Sequence, residues 1–383
     1  MQITLFENIV NFIKEKFPSK DFIPLHEPIF RGNERQYVNE TIDSTFVSSV
    51  GSFVSQFEEM MCKITGSKYA VAIVNGTSAL HMALLLSNVK KGDEVLTQSL
   101  TFIATCNAVS YLGASPIFID VDIDSLGMSP KSLLNYLKNN AEIRKDGYCY
   151  NTLSGKRIKA CVPMHTFGLP CRIDELLEIC QEWNIKLIED SAESIGSYYK
   201  EKHTGSFGEI GVFSFNGNKT ITCGGGGALI TNNRDLAIKA KHLTTQAKLP
   251  HQWAFIHDEI GYNYRMPNLN AALACAQLEQ LFEFVENKRG LAKEYSNFFS
   301  SINLKYIDEI DQAKANYWLN AILFRNIEER DDFLKFANNN GVMSRPAWEL
   351  MHKLPMFENS LRADLSNSEW LSDRLVNIPS SVR

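Results

Sequence analysis

From about residue 35 to 230, short apolar runs alternate with stretches of helical periodicity, and this alternation constrains the chain more than any other feature. A run apolar on both faces must be covered on both sides, which a mostly parallel sheet flanked by helices provides. Lys68–Val74 is expected as a strand leading into a helix over Ser78–Leu86, Glu94–Thr97 precedes a helix over Ala104–Leu112, and Pro116–Asp120 is a strand ending in acids. Further on come strands Ala160–Met164 and Lys186–Glu189 around a helix near Ile173–Trp183, then Gly211–Phe215 and Gly227–Thr231. Between Leu137 and Lys159 the pattern breaks into turn residues, which reads as an insertion with loops and a hairpin. After about Lys248 the character changes to helical segments over Asn270–Phe299, a strand-like Tyr317–Phe324 and a helix near Glu329–Asn339. The expected fold class is α/β: a large domain over 23–248 with a mostly parallel sheet, and a smaller α+β domain over 249–383. Residues 1–22, with Ile3, Phe6, Ile9, Val10, Ile13 and Phe17 at helical spacing, read as a docking helix rather than a signal peptide.

Composition narrows the function classes. Lys plus Arg number 39 against 44 Asp plus Glu, with no dense basic run, which argues against nucleic acid as a partner. Apolar runs such as Ala70–Val74 and Met82–Leu86 fall far short of the ~18 residues of a spanning helix, so no membrane partner is expected. The eight cysteines form no C-x-x-C pair and have no partnered histidine spacing, so neither a disulfide framework nor zinc is indicated. The eight histidines show no metal spacing either, and no metal site is expected. A cytoplasmic location is the expectation.

Four segments could carry chemistry. Val74–Leu80 places Gly76, Thr77 and Ser78 between a buried strand and a helix, where backbone N–H groups can hold a phosphate, or where Thr77 or Ser78 simply caps the helix. Glu189 and Asp190 end an apolar strand at the carboxyl edge of the sheet, where open α/β sheets bind ligands; a buried acid there needs a cationic partner such as a protonated heterocycle nitrogen, unless Asp190 only caps a helix at Ser191–Ser194. Lys219 is a single cation in the otherwise uncharged stretch Phe213–Gly227; a desolvated lysine can form a Schiff base, and a surface turn is the plainer alternative. The glycines Gly224–Gly227 come too late for a Walker A loop, and no G-x-S-x-G elbow occurs. Arg265, in Gly261–Pro267, is placed either to clamp an anion or to cap the long helix next in the chain.

Taken in order, Gly76–Leu80, Thr101-Phe102, Glu189–Ala192, Phe213–Phe215 with Lys219, and Gly261–Arg265 resemble the nucleotide-sugar aminotransferases, pyridoxal 5'-phosphate (PLP) enzymes of the aspartate-aminotransferase fold, type I. The resemblance runs from about Ile23 to the C-terminus. Within it, Pro24–Pro28, His165–Gly168, Phe215–Lys219, Lys241–Lys248 and Ser344–Pro346 look most like the branch serving legionaminic acid synthesis.

The resemblance implies transfer of an amino group from L-glutamate to C4 of a nucleotide-linked 4-keto-6-deoxy-N-acetylhexosamine, in a cycle running through pyridoxamine 5'-phosphate, for a bacterial surface glycan. By position, Lys219 would be the Schiff-base lysine and acid/base, and Asp190 would pair with the pyridinium nitrogen. Phe102 would stack on the ring, and Gly76, Thr77, Ser78 and Ser214 would hold the phosphate. Asn263 would reach that phosphate from the neighbouring subunit of a homodimer. His26, Arg31, Asn216 and Arg345 are candidate substrate contacts. Two positions depart from the wider pattern: Glu193, near the cofactor's 3-oxygen, stands where many members have Gln, and Asn216 where many have His. A PLP-dependent sugar dehydratase of the same fold is the nearest alternative, against which Lys219 argues. A non-catalytic, PLP-responsive regulatory subunit is the other.

Overall fold

The computed structural model describes residues 2–18 and 20–383, with side chains from Thr4 onward. Its centre is a seven-stranded sheet of β1 (Tyr69–Ile73), β2 (Glu94–Gln98), β3 (Ser115–Ile119), β4 (Ile158–Val162), β5 (Lys186–Asp190), β6 (Ile210–Ser214) and β7 (Gly227–Thr231), in the order β1-β7-β6-β5-β4-β2-β3. Neighbours from β6 through to β3 are parallel, whereas β7 runs antiparallel to both β1 and β6. No helix separates β6 from β7, only the loop after Ser214, and without a crossover the chain can only turn back on itself. Strands β2, β6 and β7 are buried along their whole length, as strands of a sheet covered on both faces are, even though β2 carries Glu94, Thr97 and Gln98.

The insertion contains the expected hairpin, Ala141–Ile143 against Cys149–Asn151. The helical stretch near 270–299 resolves into Asn268–Glu279 and Leu281–Ser301, joined at Gln280. A four-stranded antiparallel sheet, in the order Lys305–Tyr306, Asn320–Leu323, Leu375–Ile378, Arg345–Pro346, forms the C-terminal part. The strand expected from Tyr317 starts only at Asn320: Tyr317 has φ 46°, and the Trp318 amide is held by the Asn316 side chain (2.8 Å), which turns this stretch away from the sheet.

The N-terminal helix Gln2–Lys16 buries Phe6, Ile9, Val10 and Ile13, and Phe17 just beyond it, in one cluster with Tyr295, Phe299, Phe324 and Phe333. Phe12 stacks on Phe298 at 3.9 Å between ring centroids. The Ile3 side chain, also part of the expected apolar stripe, lies outside the described residues. Ile13 is fully buried, so Ile13→Ala is expected to cost about 2–5 kcal/mol in urea unfolding. A loss within about 0.5 kcal/mol, as for a surface site, would mean the helix is not docked in solution. Among the described residues, no helix is long and apolar enough to cross a membrane.

Candidate active site

The site forms where the carboxyl ends of β5 and β6 meet the start of the helix Gly76–Leu86. Because successive side chains of a strand point to opposite faces, the two acids at the end of β5 part company. Glu189 turns into backbone, accepting N–H bonds from Gly205 (2.7 Å), Phe207 (2.6 Å) and Gly208 (2.7 Å), with His165 Nε2 at 3.1 Å. It is structural. Asp190 lines a cavity of about 310 Å³ together with Gly76, Thr77, Phe102, Glu193, Ser214, Asn216, Lys219, Trp318 and Trp348. Among the described residues its carboxylate accepts only the Thr105 hydroxyl (2.7 Å) and the Ala192 N–H (3.2 Å). Burial pushes the Asp190 carboxyl upward against these two bonds and the positive charges of Lys219 and His165. Among the described residues no cation bonds to it, so a buried acid faces the cavity without a partner. A protonated ring nitrogen would complete it.

The start of the helix Gly76–Leu86 lines the same cavity as a phosphate cradle. Asn75 Oδ1 caps the helix by accepting the Ser78 N–H at 2.8 Å, so Asn75 does what the sequence left to Thr77 or Ser78. A Cβ at Gly76 would lie 2.8 Å from Ser214 Cβ, and one at Gly227 would lie 2.5 Å from the Asn75 carbonyl. The two glycines therefore let the helix start and β7 close together and leave the first-turn N–H groups, the positive end of the helix dipole, on the cavity side. Together, an unpartnered buried acid and an anion cradle in one cavity of this size fit pyridoxal phosphate.

Lys219 lines the same cavity. Its Nζ is 3.0 Å from Glu193 Oε1 and 3.9 Å from the centroid of the Trp318 ring, and its backbone N–H donates to the Asn216 carbonyl (3.0 Å). Glu193 Oε2 accepts the N–H of Phe167 at 2.9 Å. Burial, opposed by Lys219 and the Phe167 N–H, pushes the Glu193 carboxyl up to about 7. The indole N–H of Trp318 donates to the Asn218 carbonyl (2.6 Å), while Asn316 Nδ2 donates to the carbonyls of Glu193 (2.9 Å) and Ile195 (2.8 Å). Behind Trp318, the fully buried Lys288 donates to the carbonyls of Trp318 and Ser380, and burial pushes its ammonium down to about 7.

Of the residues picked from sequence, Gly76, Thr77, Phe102, Asp190, Glu193, Ser214, Asn216 and Lys219 share this cavity. Phe102, half exposed, packs near Trp348 at 5.9 Å between centroids. Ser78 sits one residue back, its N–H used by Asn75. Arg31 is instead paired with Glu283 (2.5 Å), and Arg345 is exposed on the edge of the C-terminal sheet. Asn263 is exposed, touching only Arg265 Nη2 at 3.4 Å through its side chain. His26 has both ring nitrogens buried; burial, and the charges of Lys288 and Lys219, hold its pKa well below the usual value against the pull of the Asn218 backbone. Sequence reading missed Thr105, Asn316, Trp318 and Trp348. Thr105 had a faint signal, one helical turn beyond Thr101, to which it bonds at 3.1 Å; the others come from the distant C-terminal part.

The description of the DegT/DnrJ/EryC1/StrS aminotransferase family matches residues 28–383. The GDP-perosamine synthase of Escherichia coli O157:H7 is 37% identical over 359 residues, covering 94% of this chain and 93% of that protein. The GDP-perosamine synthase of Vibrio cholerae is 35% identical over 363 residues, covering 94% of each. Among solved structures, a DegT/DnrJ/EryC1/StrS aminotransferase from Brucella abortus superposes with a TM-score of 0.82 at 26% identity, covering 91% of this chain and 90% of that one. Helicobacter pylori PseC, an aminotransferase of pseudoaminic acid biosynthesis, shares the fold with a TM-score of 0.83 at 22% identity, covering 94% and 93%. With the cavity fitting pyridoxal phosphate and the match spanning the catalytic elements, the chain belongs to the DegT/DnrJ/EryC1/StrS aminotransferase family, as a PLP-dependent nucleotide-sugar aminotransferase.

Proposed function

We propose that this enzyme moves the amino group of L-glutamate to C4 of a nucleotide-linked 4-keto-6-deoxy-N-acetylhexosamine, serving surface-glycan synthesis of the legionaminic acid type. The observation that carries the chemistry is Lys219: a lysine amine facing the same cavity as an unpartnered buried carboxylate and a helix N-terminus. The sugar is supported by the sequence segments that resemble the legionaminic branch.

Bound pyridoxal phosphate supplies a carbonyl that carries nitrogen between two substrates and a ring that takes up an electron pair. Gly76, Thr77 and Ser214, with Ser78 behind them, hold its phosphate through first-turn N–H groups and hydroxyls. Asp190, fixed by Thr105, would hold the ring nitrogen in its protonated form, and Phe102 would face the ring. Lys219 anchors the cofactor, then takes and returns the proton at the carbon that gains or loses nitrogen. Asn216, at the rim and bonded to Asn218 (3.3 Å), is a neutral substrate contact that cannot serve as a second base. Of the remaining candidate sugar contacts, His26 lies near Lys219 with its ring closed off, Arg31 would have to leave Glu283 to act as one, and Arg345 would act from its sheet edge. The reaction is placed in the cytoplasm, in keeping with eight free cysteines.

A homodimer with shared sites is part of the proposal. It is supported by exposed Asn263 and by the neighbouring Trp253, Phe255 and Ile260, which are 77%, 80% and 84% exposed, a degree of apolar exposure that marks an interface. Light scattering should return about twice the 43.3 kDa chain mass; a monomer that is fully active would contradict it.

The relatives named for GDP-perosamine favour a second reading, a GDP-linked sugar without the N-acetyl group. Side-by-side assays with UDP- and GDP-linked 4-keto-6-deoxy sugars, with and without the C2 acetamido group, decide. The proposal expects kcat/KM at least about tenfold higher for the acetamido sugar, a difference of about 1.4 kcal/mol in transition-state binding. Preference for the GDP-linked sugar lacking it would overturn the substrate assignment while leaving the reaction type intact.

A further inference from the structure

The partnership of Glu193 with Lys219 has a chemical consequence of its own. Glu193 is closed off from solvent and has two donors, the Phe167 N–H on one oxygen and Lys219 Nζ on the other. Phe167 takes φ 58°, left-handed for a bulky residue, as its N–H is presented to the carboxylate. Two opposite charges 3.0 Å apart in a buried site can be removed together by shifting one proton across their hydrogen bond, which cancels the desolvation cost of both. The Phe167 N–H stays on Oε2 in either form, so the carboxyl group keeps its orientation.

We propose that Glu193 is the base that takes the proton of Lys219 when its amine must act as a nucleophile, and hands it back when the amine is protonated again. One N–H bond of the ammonium breaks and its electron pair stays on Nζ. One O–H bond forms on Oε1, and the pair remains neutral overall. This inference rests on reading Lys219 as the cofactor's attachment point. Other ionisable groups face the pair from three elements. Asp190, at the end of β5, repels a charged Glu193 and so favours its protonated form, His165 acts on Asp190 from behind, and His26 is held neutral by burial and by Lys219 and Lys288. The upward shift of the Glu193 carboxyl toward neutrality accords with the exchange. Glutamine in its place would keep one acceptor oxygen, for the Phe167 N–H, and lose both the acceptor facing Lys219 and the ability to take its proton.

The test uses the full-length chain freed of cofactor. PLP is added to wild type, E193Q and E193D, samples are quenched with borohydride, and the adduct on the Lys219 peptide is quantified over about pH 6.5 to 9. Dividing the wild-type rate by the variant rate cancels the cofactor's own titrations. From the pKa of the variant's lysine down to about pH 7, where Glu193 itself takes up a proton, the wild-type to E193Q ratio should grow about tenfold for each pH unit, since that lysine must lose its proton to water. E193D, which keeps a carboxylate, should give a ratio that stays flat. A flat ratio for E193Q, or an E193D ratio that climbs like that of E193Q, overturns the role of Glu193. Absence of any adduct on Lys219 in the wild type overturns the reading of Lys219, and this inference with it.

Discussion

Lys219→Ala should lower turnover by at least about three orders of magnitude and leave no cofactor attached to protein after borohydride treatment, because the nucleophile and the proton carrier are the same nitrogen. A second signature comes from Glu193. In the intact site its carboxyl is raised to about 7 by burial, with Lys219 pulling the other way. A carboxyl whose folded pKa lies above its unfolded value near 4.5 favours folding most at low pH, and this contribution is lost as pH rises toward the folded value. Without the lysine the folded value climbs further, so the loss continues to higher pH. The thermal midpoint of K219A should therefore fall more steeply than that of the wild type between about pH 7 and 9. Full turnover in K219A would remove the lysine from the chemistry; parallel stability curves would show that it does not pair with Glu193 in solution.

Asp190→Asn is expected to have the next largest effect, and its two readouts should move apart. Asn retains an oxygen for the Thr105 hydroxyl, now 2.7 Å from the acid, but cannot hold a proton on the ring nitrogen. Turnover should fall by about a hundredfold or more, as expected when one preorganised charge facing the reacting system is lost. In the cofactor-free protein the same change removes a buried carboxylate that lacks a bonded cation, so thermal stability should be unchanged or higher. Loss of stability and activity together would make Asp190 a structural residue; unchanged turnover would contradict its role at the ring.

The parallel sheet was legible because its strands are short and buried on both faces, which leaves a continuous apolar run that few other structures permit. Strands β1 to β7 fall within two residues of the runs that announced them. Asp190 was legible for a related reason, since its place after an apolar strand put it at the carboxyl edge of the sheet. Lys219 stood out as the one charge in a stretch that otherwise avoids charge.

What the sequence hid depends on long-range geometry. Trp318 reaches Asn218 across 100 positions, and its apolar neighbourhood reads as strand until the left-handed turn at Tyr317 aims it at the lysine. The pairing of Arg31 with Glu283 spans 252 positions and has no periodic signature. Glu193 was visible as a departure from Gln, but only the fold shows that its carboxylate meets Nζ and the Phe167 amide. Local rules report caps and strand ends; they do not report which distant segment closes over a site.

Labelled nitrogen follows the transfer itself. The purified enzyme is given L-glutamate labelled at nitrogen, its visible absorbance is recorded, and a nucleotide-linked 4-keto-6-deoxy-N-acetylhexosamine is then added and recovered for mass spectrometry. Glutamate alone should bleach the band of the lysine-bound cofactor, the keto sugar should restore it, and the labelled nitrogen should be found at C4 of the sugar. A cofactor band indifferent to glutamate, or a sugar product that has lost oxygen without gaining nitrogen, would contradict it.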